Sequence, residues 1–391
     1  MRIAAWLSAR RVSAVAAFAL WTALWTVMAP ANAVLPADHL VAEVLPTPPN
    51  PHWIYAIDIV FGQMTESKIV LIDGDTRRML GMVNSGLSAG FAASPDKKEL
   101  YVSETYYSRG TRGERTDVVT VVSADELKPI AEIGIPPKRF LSLNVPYGTI
   151  TTPDGRFLLV FNFTPATSVS VVDLAGRKFV GEIATPGCSL TYPMRDSRGF
   201  AMLCADGHLL TVRLDDTGAS AGQKTSDQRF FDSQKESLNV TPARLGAHYF
   251  FVSFHGVVHG LDLSGDTPAV DEPWSLLSDA DKRAGWRPGG WQEAAANQVL
   301  DRLYVVMHKG GEGTHKDPGP EVWVYDLASH RRIARIHMKT PVISVLTSTD
   351  DHPLLYGLGA DSAVHVYDAR TGVYKGSAKG LLQTGIFFAN P

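Results

Sequence analysis

Among 391 residues there are only two cysteines, Cys188 and Cys204. Neither sits in a CxxC spacing nor beside other metal-ligand types, so a reactive dithiol or a cysteine metal site is excluded. Charge of one sign is also scarce: the formal net charge is −3, with average apolar content and no low-complexity block. That composition excludes a disordered tail, a collagen and an electrostatic nucleic-acid binder. Catalytic signatures are missing as well. There is no CxxCH, no HExxH, no GxGxxG after a strand, no P-loop and no GxSxG elbow. No catalytic residue and no metal ligand is therefore assigned to this chain.

The first residues differ in kind from the rest. Arg2, Arg10 and Arg11 precede an apolar run from Val12 to Met28, and Ala31-Asn32-Ala33 has the small-x-small form of a cleavage site. Residues 1–33 read as a cleavable signal peptide, with a retained membrane anchor as the other reading. Arg10-Arg11 leaves both the general and the twin-arginine export route open. Removing this segment takes three arginines and no acid, so residues 34–391 are more acidic than the whole chain. In an oxidising compartment, Cys188 and Cys204 read as one disulfide across neighbouring strands. A loop of that size contributes about 3 kcal/mol in the chain-entropy account.

What the chain does contain is repetition. Glu321-Val322-Trp323-Val324-Tyr325-Asp326 is a short strand, apolar on both faces, that ends in Asp before a tight turn. Apolar residues on both faces suit a strand covered on both sides. The same pattern recurs as Ile69–Asp73, Val118–Ser123, Val169–Asp173, Leu210–Asp215, Val258–Asp262 and Val364–Asp368, giving seven copies. A second strand precedes each copy, turn residues such as Thr152-Pro153-Asp154-Gly155 precede that, and a third strand lies earlier still. With the returning strand after the Asp, each unit is a four-stranded antiparallel meander. The expected fold is all-β: a seven-bladed β-propeller of four-stranded antiparallel blades over residues 34–391. The last residues, Thr384 to Pro391, look like an innermost strand lacking its neighbour, and should close the ring by supplying the inner strand of the first blade.

The turns after each Asp are short, whereas the long excursions all fall on the opposite side of the disc: 58–68, 105–117, 136–146, 163–168, 231–240, 264–288 and 309–320. Function is expected on that side. Within 264–288, Trp274 to Arg283 reads as a capped short helix. Tyr106, Tyr107, Arg109, Arg112 and Arg115 form an aromatic and arginine hairpin suited to a protein interface. Glu114 and Asp117 interrupt it, so a solvated or ion-paired hairpin is the plainer reading. His255 and His259 lie four apart on a strand pattern and read as structural. His308 and His315 flank Gly310-Gly311-Glu312-Gly313, which reads as a contact loop rather than a metal site because no carboxylate pair stands beside it.

Several stretches carry a family resemblance: Ser108-Arg109-Gly110-Thr111-Arg112-Gly113-Glu114-Arg115-Thr116-Asp117, Lys282-Arg283-Ala284-Gly285-Trp286-Arg287-Pro288-Gly289-Gly290-Trp291-Gln292, and Asp154-Gly155-Arg156 with Ser168–Asp173. They resemble the large (heavy) subunit of the tryptophan tryptophylquinone-dependent amine dehydrogenases. Asp58-Ile59-Val60-Phe61, Thr65-Glu66-Ser67, Pro136-Pro137-Lys138-Arg139 and Glu312 to Lys316 look closest to the aromatic amine dehydrogenase branch. The resemblance implies a periplasmic α2β2 heterotetramer in which the small subunit carries the quinone and its catalytic base. This chain would then bind no cofactor. The implied reaction is oxidative deamination of a primary amine to aldehyde and ammonia, with a blue copper protein, azurin or amicyanin, accepting the electrons. By the same resemblance, Phe61 is expected to line the substrate channel, and Cys188 and Cys204 match the family's large-subunit disulfide. Neither nucleic acid nor, after signal cleavage, a membrane is an expected partner. A methylamine-type large subunit and a non-enzymatic exported β-propeller are the alternatives.

Overall fold

The computed structural model describes residues 43–391 except Met64, Leu143, Asn144, Asp196 and Ser197. The expected signal peptide, residues 1–33, lies outside the described residues. No helix among those described is long and apolar enough to cross a membrane.

The strand-and-turn pattern is realised closely. The opening stretch is the strand Gly319–Asp326, in which Val322 to Tyr325 are all buried. Its terminal Asp326 carboxylate accepts the Ser329 N–H at 2.8 Å. Asp73, Asp173, Asp215 and Asp368 do the same for backbone N–H groups in their own turns, at 2.8 to 3.1 Å. These hydrogen bonds hold the Asp326 carboxyl below its ordinary range, first through Ser329. The repeated Asp is thus a turn-forming residue, and its partners are local.

The blade count differs from expectation. The described strands form five separate blades and one continuous eight-stranded sheet, not seven separate four-stranded blades. Four blades have four strands; the fifth blade has five, because Ala269–Val270 and Trp274–Ser275 both pair with Val257–Asp262. In the eight-stranded sheet, a single strand Arg331–Thr347 pairs with Gly319–Asp326 at one end and Leu354–Gly359 at the other. The physical reason is visible in its sequence. From Arg331 to Thr347 there is no Gly, Asn or Asp to turn the chain, and Pro341 is compatible with extended backbone. Two of the repeats are therefore joined through one strand. The all-β propeller architecture stands, and the seven-blade count does not.

Ring closure follows the sequence reading. The strand Gly385–Ala389 pairs with Trp53–Asp58, giving a first sheet in the order Gly385–Ala389, Trp53–Asp58, Ser67–Asp73, Arg78–Ser85. On the short-turn face, His52 bridges first and last sheets, with Nδ1 2.8 Å from Asp75 and Nε2 3.1 Å from Asp350. Burial pulls that imidazole down, but the two carboxylates outweigh it and hold it above its ordinary value. The core is a set of apolar clusters, most of which join neighbouring sheets. One joins Ile54 and Val70 of the first sheet to Tyr356 and Val366 of the last. The innermost strands of all six sheets line a central channel, through Phe388, Phe91, Thr149, Pro193, Ala243 and Ala295.

Candidate functional site

The hairpin and loop bases are rigid. The strands Glu99–Tyr107 and Arg115–Ser123 stay paired out to Tyr107 and Arg115, so residues 108–114 are a hairpin tip. Arg109 N–H donates to the Arg112 carbonyl at 3.0 Å, and Glu114 N–H to Ser108 Oγ at 3.1 Å. Gly110 (φ 74°) and Gly113 (φ 107°) occupy left-handed backbone that other residues adopt at a cost. Arg109 and Arg112 are exposed and make no ion pair among the described residues, whereas Arg115 is held below them. The fully buried Asp117 carboxylate accepts Arg115 Nε at 2.8 Å, Arg115 Nη2 at 2.7 Å, Thr105 Oγ1 at 2.7 Å and the Arg139 N–H at 3.1 Å. The Arg139 guanidinium, buried beneath the hairpin, donates to Thr105 Oγ1 and to the Leu87 and Ser88 carbonyls. Burial pushes it down to about 10, against the attraction of Asp117. The arginine hairpin is thus two things at once: an ion-paired base and a free, doubly cationic tip.

Phe61 sits on a short 3₁₀ turn, Phe61–Gln63, directly after the buried Ile59 and Val60. Val60 has φ 45°, a conformation that a β-branched residue rarely adopts. Its N–H is held by Asp58 Oδ1 at 3.2 Å, and its carbonyl accepts the Gln63 N–H at 2.8 Å. This local cage projects the Phe61 ring, 48% exposed, away from the blade. Tyr106 is 45% exposed and Tyr107 half-buried, on the neighbouring blade. Burial and then the Glu104 charge raise the Tyr106 phenol, so it stays protonated.

His315 lies in the loop after Arg302–Lys309, stacked on Phe254 with centroids 4.0 Å apart and 10° between planes. Burial, and then Lys316, hold it below its ordinary value, so it is a neutral ring at pH 7. Lys316 Nζ lies 4.6 Å over the Trp291 ring. Beneath it the buried Glu293 carboxyl is pushed up to about 8 by burial, against the pull of Lys316. Trp291 packs against the cluster that contains Ile59, so the base of the Phe61 turn and the His315 loop share an apolar contact.

Three contributors were not singled out in the sequence. Phe163, 57% exposed and edge-on to Phe140 at 5.6 Å, directly follows the strand Phe157–Asn162, which was the available signal. Phe254 and Trp291 carry no comparable local signal. The two histidines expected on one strand also separate: His255 lies in the turn before Val257–Asp262 and only His259 is in that strand. His255 is exposed between Glu236 and Glu312, each 3.2 Å from a different ring nitrogen, while His259 is buried with neither nitrogen partnered. His308 is buried under Gly289, also with Nε2 unpartnered.

The disulfide Cys188–Cys204 is formed, between directly opposed residues of adjacent strands. Asp350, Asp351 and His352 bring ligand atoms together at a turn on the opposite, short-turn face. Asp350 there is committed to Ser348 and His52, and no cation is assigned to it. A quinone made from two cross-linked tryptophans would need a close pair open to substrate. Among the described residues Trp286 and Trp323 lie 5.1 Å apart, but Trp323 is fully buried, its N–H held by Glu321 at 2.7 Å and its ring covered by Arg332 at 4.0 Å. This pair does not fit such a group.

Residues 52–386 match the methylamine dehydrogenase heavy chain (MADH) family. The methylamine dehydrogenase heavy chain of Methylorubrum extorquens is 33% identical over 310 residues, covering 78% of this chain and 75% of that protein. Its counterpart in Paracoccus versutus is 33% identical, covering 77% and 71%, and that of Methylophilus methylotrophus 31%, covering 82% and 78%. Solved structures add likeness in fold alone. The dihydro-heme d1 dehydrogenase NirN aligns with a TM-score of 0.52 at 15% identity, covering 92% of this chain and 78% of that one. Kuenenia stuttgartiensis hydrazine synthase aligns at 0.51 and 16%, covering 78% and 93%.

Proposed function

The chain belongs to the methylamine dehydrogenase heavy-chain family, and from that premise we propose how it serves as the large subunit of a quinoprotein amine dehydrogenase. It is a periplasmic scaffold that docks a separate quinone-bearing small subunit on its long-loop face, in an α2β2 assembly, and walls the path of a primary amine. The observation that carries this reading is where the exposed aromatics fall. Of the four exposed large aromatic side chains among the described residues, Phe61, Tyr106 and Phe163 lie on that face, and only Tyr374 lies on an outer strand. Exposed aromatics beside free arginines are what interface anchors are made of.

The tryptophan tryptophylquinone of the small subunit supplies the two-electron oxidation of the amine carbon, and a blue copper protein, azurin or amicyanin, takes the electrons onward. This chain's residues supply shape. The constrained Val60 backbone fixes Phe61 as an apolar wall whose ring selects by contact area. Arg109, Arg112, Tyr106 and Tyr107 present a cationic and aromatic tip on a base locked by Asp117 and Arg139. His315, flat on Phe254 and neutral, offers a ring edge rather than a charge.

The test is a panel of amines assayed on the assembled enzyme carrying Phe61→Ala. The ratio of kcat/KM for phenethylamine to that for methylamine should move by about tenfold, the discrimination that one group-sized contact gives an apolar pocket. An unchanged ratio would remove Phe61 from the substrate path. The wild-type ratio itself separates the aromatic branch, favoured by residues 58–67 and 312–316, from the methylamine branch for which the relatives are named.

A further inference from the structure

The central channel is a cavity of about 540 Å³, and no aspartate or glutamate side chain lines it; the charged side chains on its wall are Lys97 and Arg244. Arg244 projects from the innermost strand Ala243–Leu245 of the fifth blade. Its guanidinium lies 5.3 Å over the Tyr249 ring, and only Nε is used, donating to the Gly246 carbonyl at 2.5 Å. The two terminal nitrogens make no hydrogen bond or ion pair among the described residues.

Tyr147 stands beside it. Its ring is 6.0 Å from that of Tyr249 and 4.9 Å from that of Tyr192. The other two phenols of this cluster are committed, Tyr192 to the Val240 carbonyl and Tyr249 to the Pro193 carbonyl, each at 3.0 Å. The Tyr147 hydroxyl makes no hydrogen bond among the described residues. Its backbone holds φ 70°, and the Thr191 N–H and Oγ1 both donate to its carbonyl, at 2.9 and 2.8 Å. A tyrosine kept in left-handed backbone by two such bonds is held there against its own preference.

We infer that this channel is a binding site for a small carboxylate with an apolar body. The carboxylate is held by the open face of the Arg244 guanidinium and by the Tyr147 O–H. The chemistry fits on each side. A guanidinium fork matches the two oxygens of a carboxylate, and a phenol adds one more donor. Ile57, Ile150 and Leu346 of the same lining offer the body an apolar wall, and a cavity of this size holds a molecule of drug-fragment dimensions. The site requires no part of the amine chemistry.

Titration of the assembled enzyme with benzoate, followed by calorimetry and by thermal shift, tests this directly. One benzoate should bind per chain; Arg244→Gln should weaken it by about tenfold or more and Tyr147→Phe by a smaller factor, as losses of a charged and a neutral hydrogen bond. Benzyl alcohol, the neutral relative, and inorganic phosphate, an anion without an apolar body, should both bind far more weakly than benzoate. Because these ligand comparisons use the unmodified protein, they hold even if a variant folds poorly. Equal binding of benzyl alcohol or of phosphate, no benzoate binding, or undiminished affinity in a folded Arg244→Gln protein would each overturn the assignment.

Discussion

Replacing Phe387 with alanine should destabilise the propeller by about 3–5 kcal/mol, the cost of emptying a well-packed aromatic site. Deleting residues 385–391 should prevent cooperative folding altogether. The strand Gly385–Ala389 closes the ring, in register Ile57↔Phe387 and Ala56↔Phe388. Its side chains divide between two inter-sheet cores. Ile386 and Phe387 belong to the cluster of Trp53, Tyr55 and Val102, while Phe388 belongs to that of Ile54, Tyr356 and Val366. The approach to the strand is fixed by one carboxylate: Asp58 accepts the Gln383 and Thr384 N–H groups at 2.7 and 2.8 Å. Removing the strand therefore uncovers both faces of the first blade and leaves its inner edge unpaired. Thermal unfolding followed by far-ultraviolet circular dichroism reads the outcome. A truncated protein that melts like the full chain would show that the closing strand is not structural.

Arg139→Met should cost a comparable amount, about 3–5 kcal/mol, because it breaks a buried charged network from one side. Methionine fills much of the volume but donates nothing. The Leu87 and Ser88 carbonyls then lose their partner, and Asp117, whose side chain is fully buried, loses a nearby cation. Lysine at the same position should not restore stability, since one ammonium cannot reach Thr105 and two carbonyls in the way a planar fork does. The loss should be local as well as global: residues 108–114 stand on this base, so proteolytic cutting at Arg109 and Arg112 should accelerate. Urea unfolding and limited proteolysis together check it, and a change of less than about 0.5 kcal/mol, the range of ordinary surface substitutions, would contradict the arrangement described.

How much of this was legible in the sequence depended on how local the signal was. The Asp-terminated strands were readable because apolar periodicity and turn residues act over a few positions, and each Asp does bond its own turn. Ring closure was readable from an unpaired strand at one end and a missing neighbour at the other. The capped helix Asp279–Arg283 was readable because Ser278 and Asp281 bond each other's backbone N–H groups, a four-residue affair. The blade count was misread where repetition was taken to imply a turn. Arg331–Thr347 repeats the pattern but contains no Gly, Asn or Asp to turn it, and it continues as one strand with irregular register at Val342.

For the candidate site, position at or near strand ends pointed to Phe61, Tyr106 and the arginine tip as exposed side chains, and exposed they are. It could not reveal that Trp291 joins the His315 loop to the base of the Phe61 turn. Nor could it reveal that Arg244 and Tyr147 share a channel wall. Such pairings arise from curvature around the ring, which no local window encodes. The buried Glu293 shows the same limit: between Trp291 and the alanines Ala294 to Ala296 it reads as a surface acid, yet Asn239 and Lys316, far away in sequence, enclose it.

The central claim is that this chain is a scaffold for a quinone carried by another polypeptide. The most direct measurement is purification of the native protein from periplasmic extract, with the mass of every co-eluting chain and the visible absorption spectrum recorded together. The expected result is a complex of two large and two small chains, coloured by a quinone band that stays with the small chain when the subunits are separated and bleaches on addition of a primary amine. A colourless single chain that leaves amines untouched, or a quinone band that travels with the large chain, would contradict it.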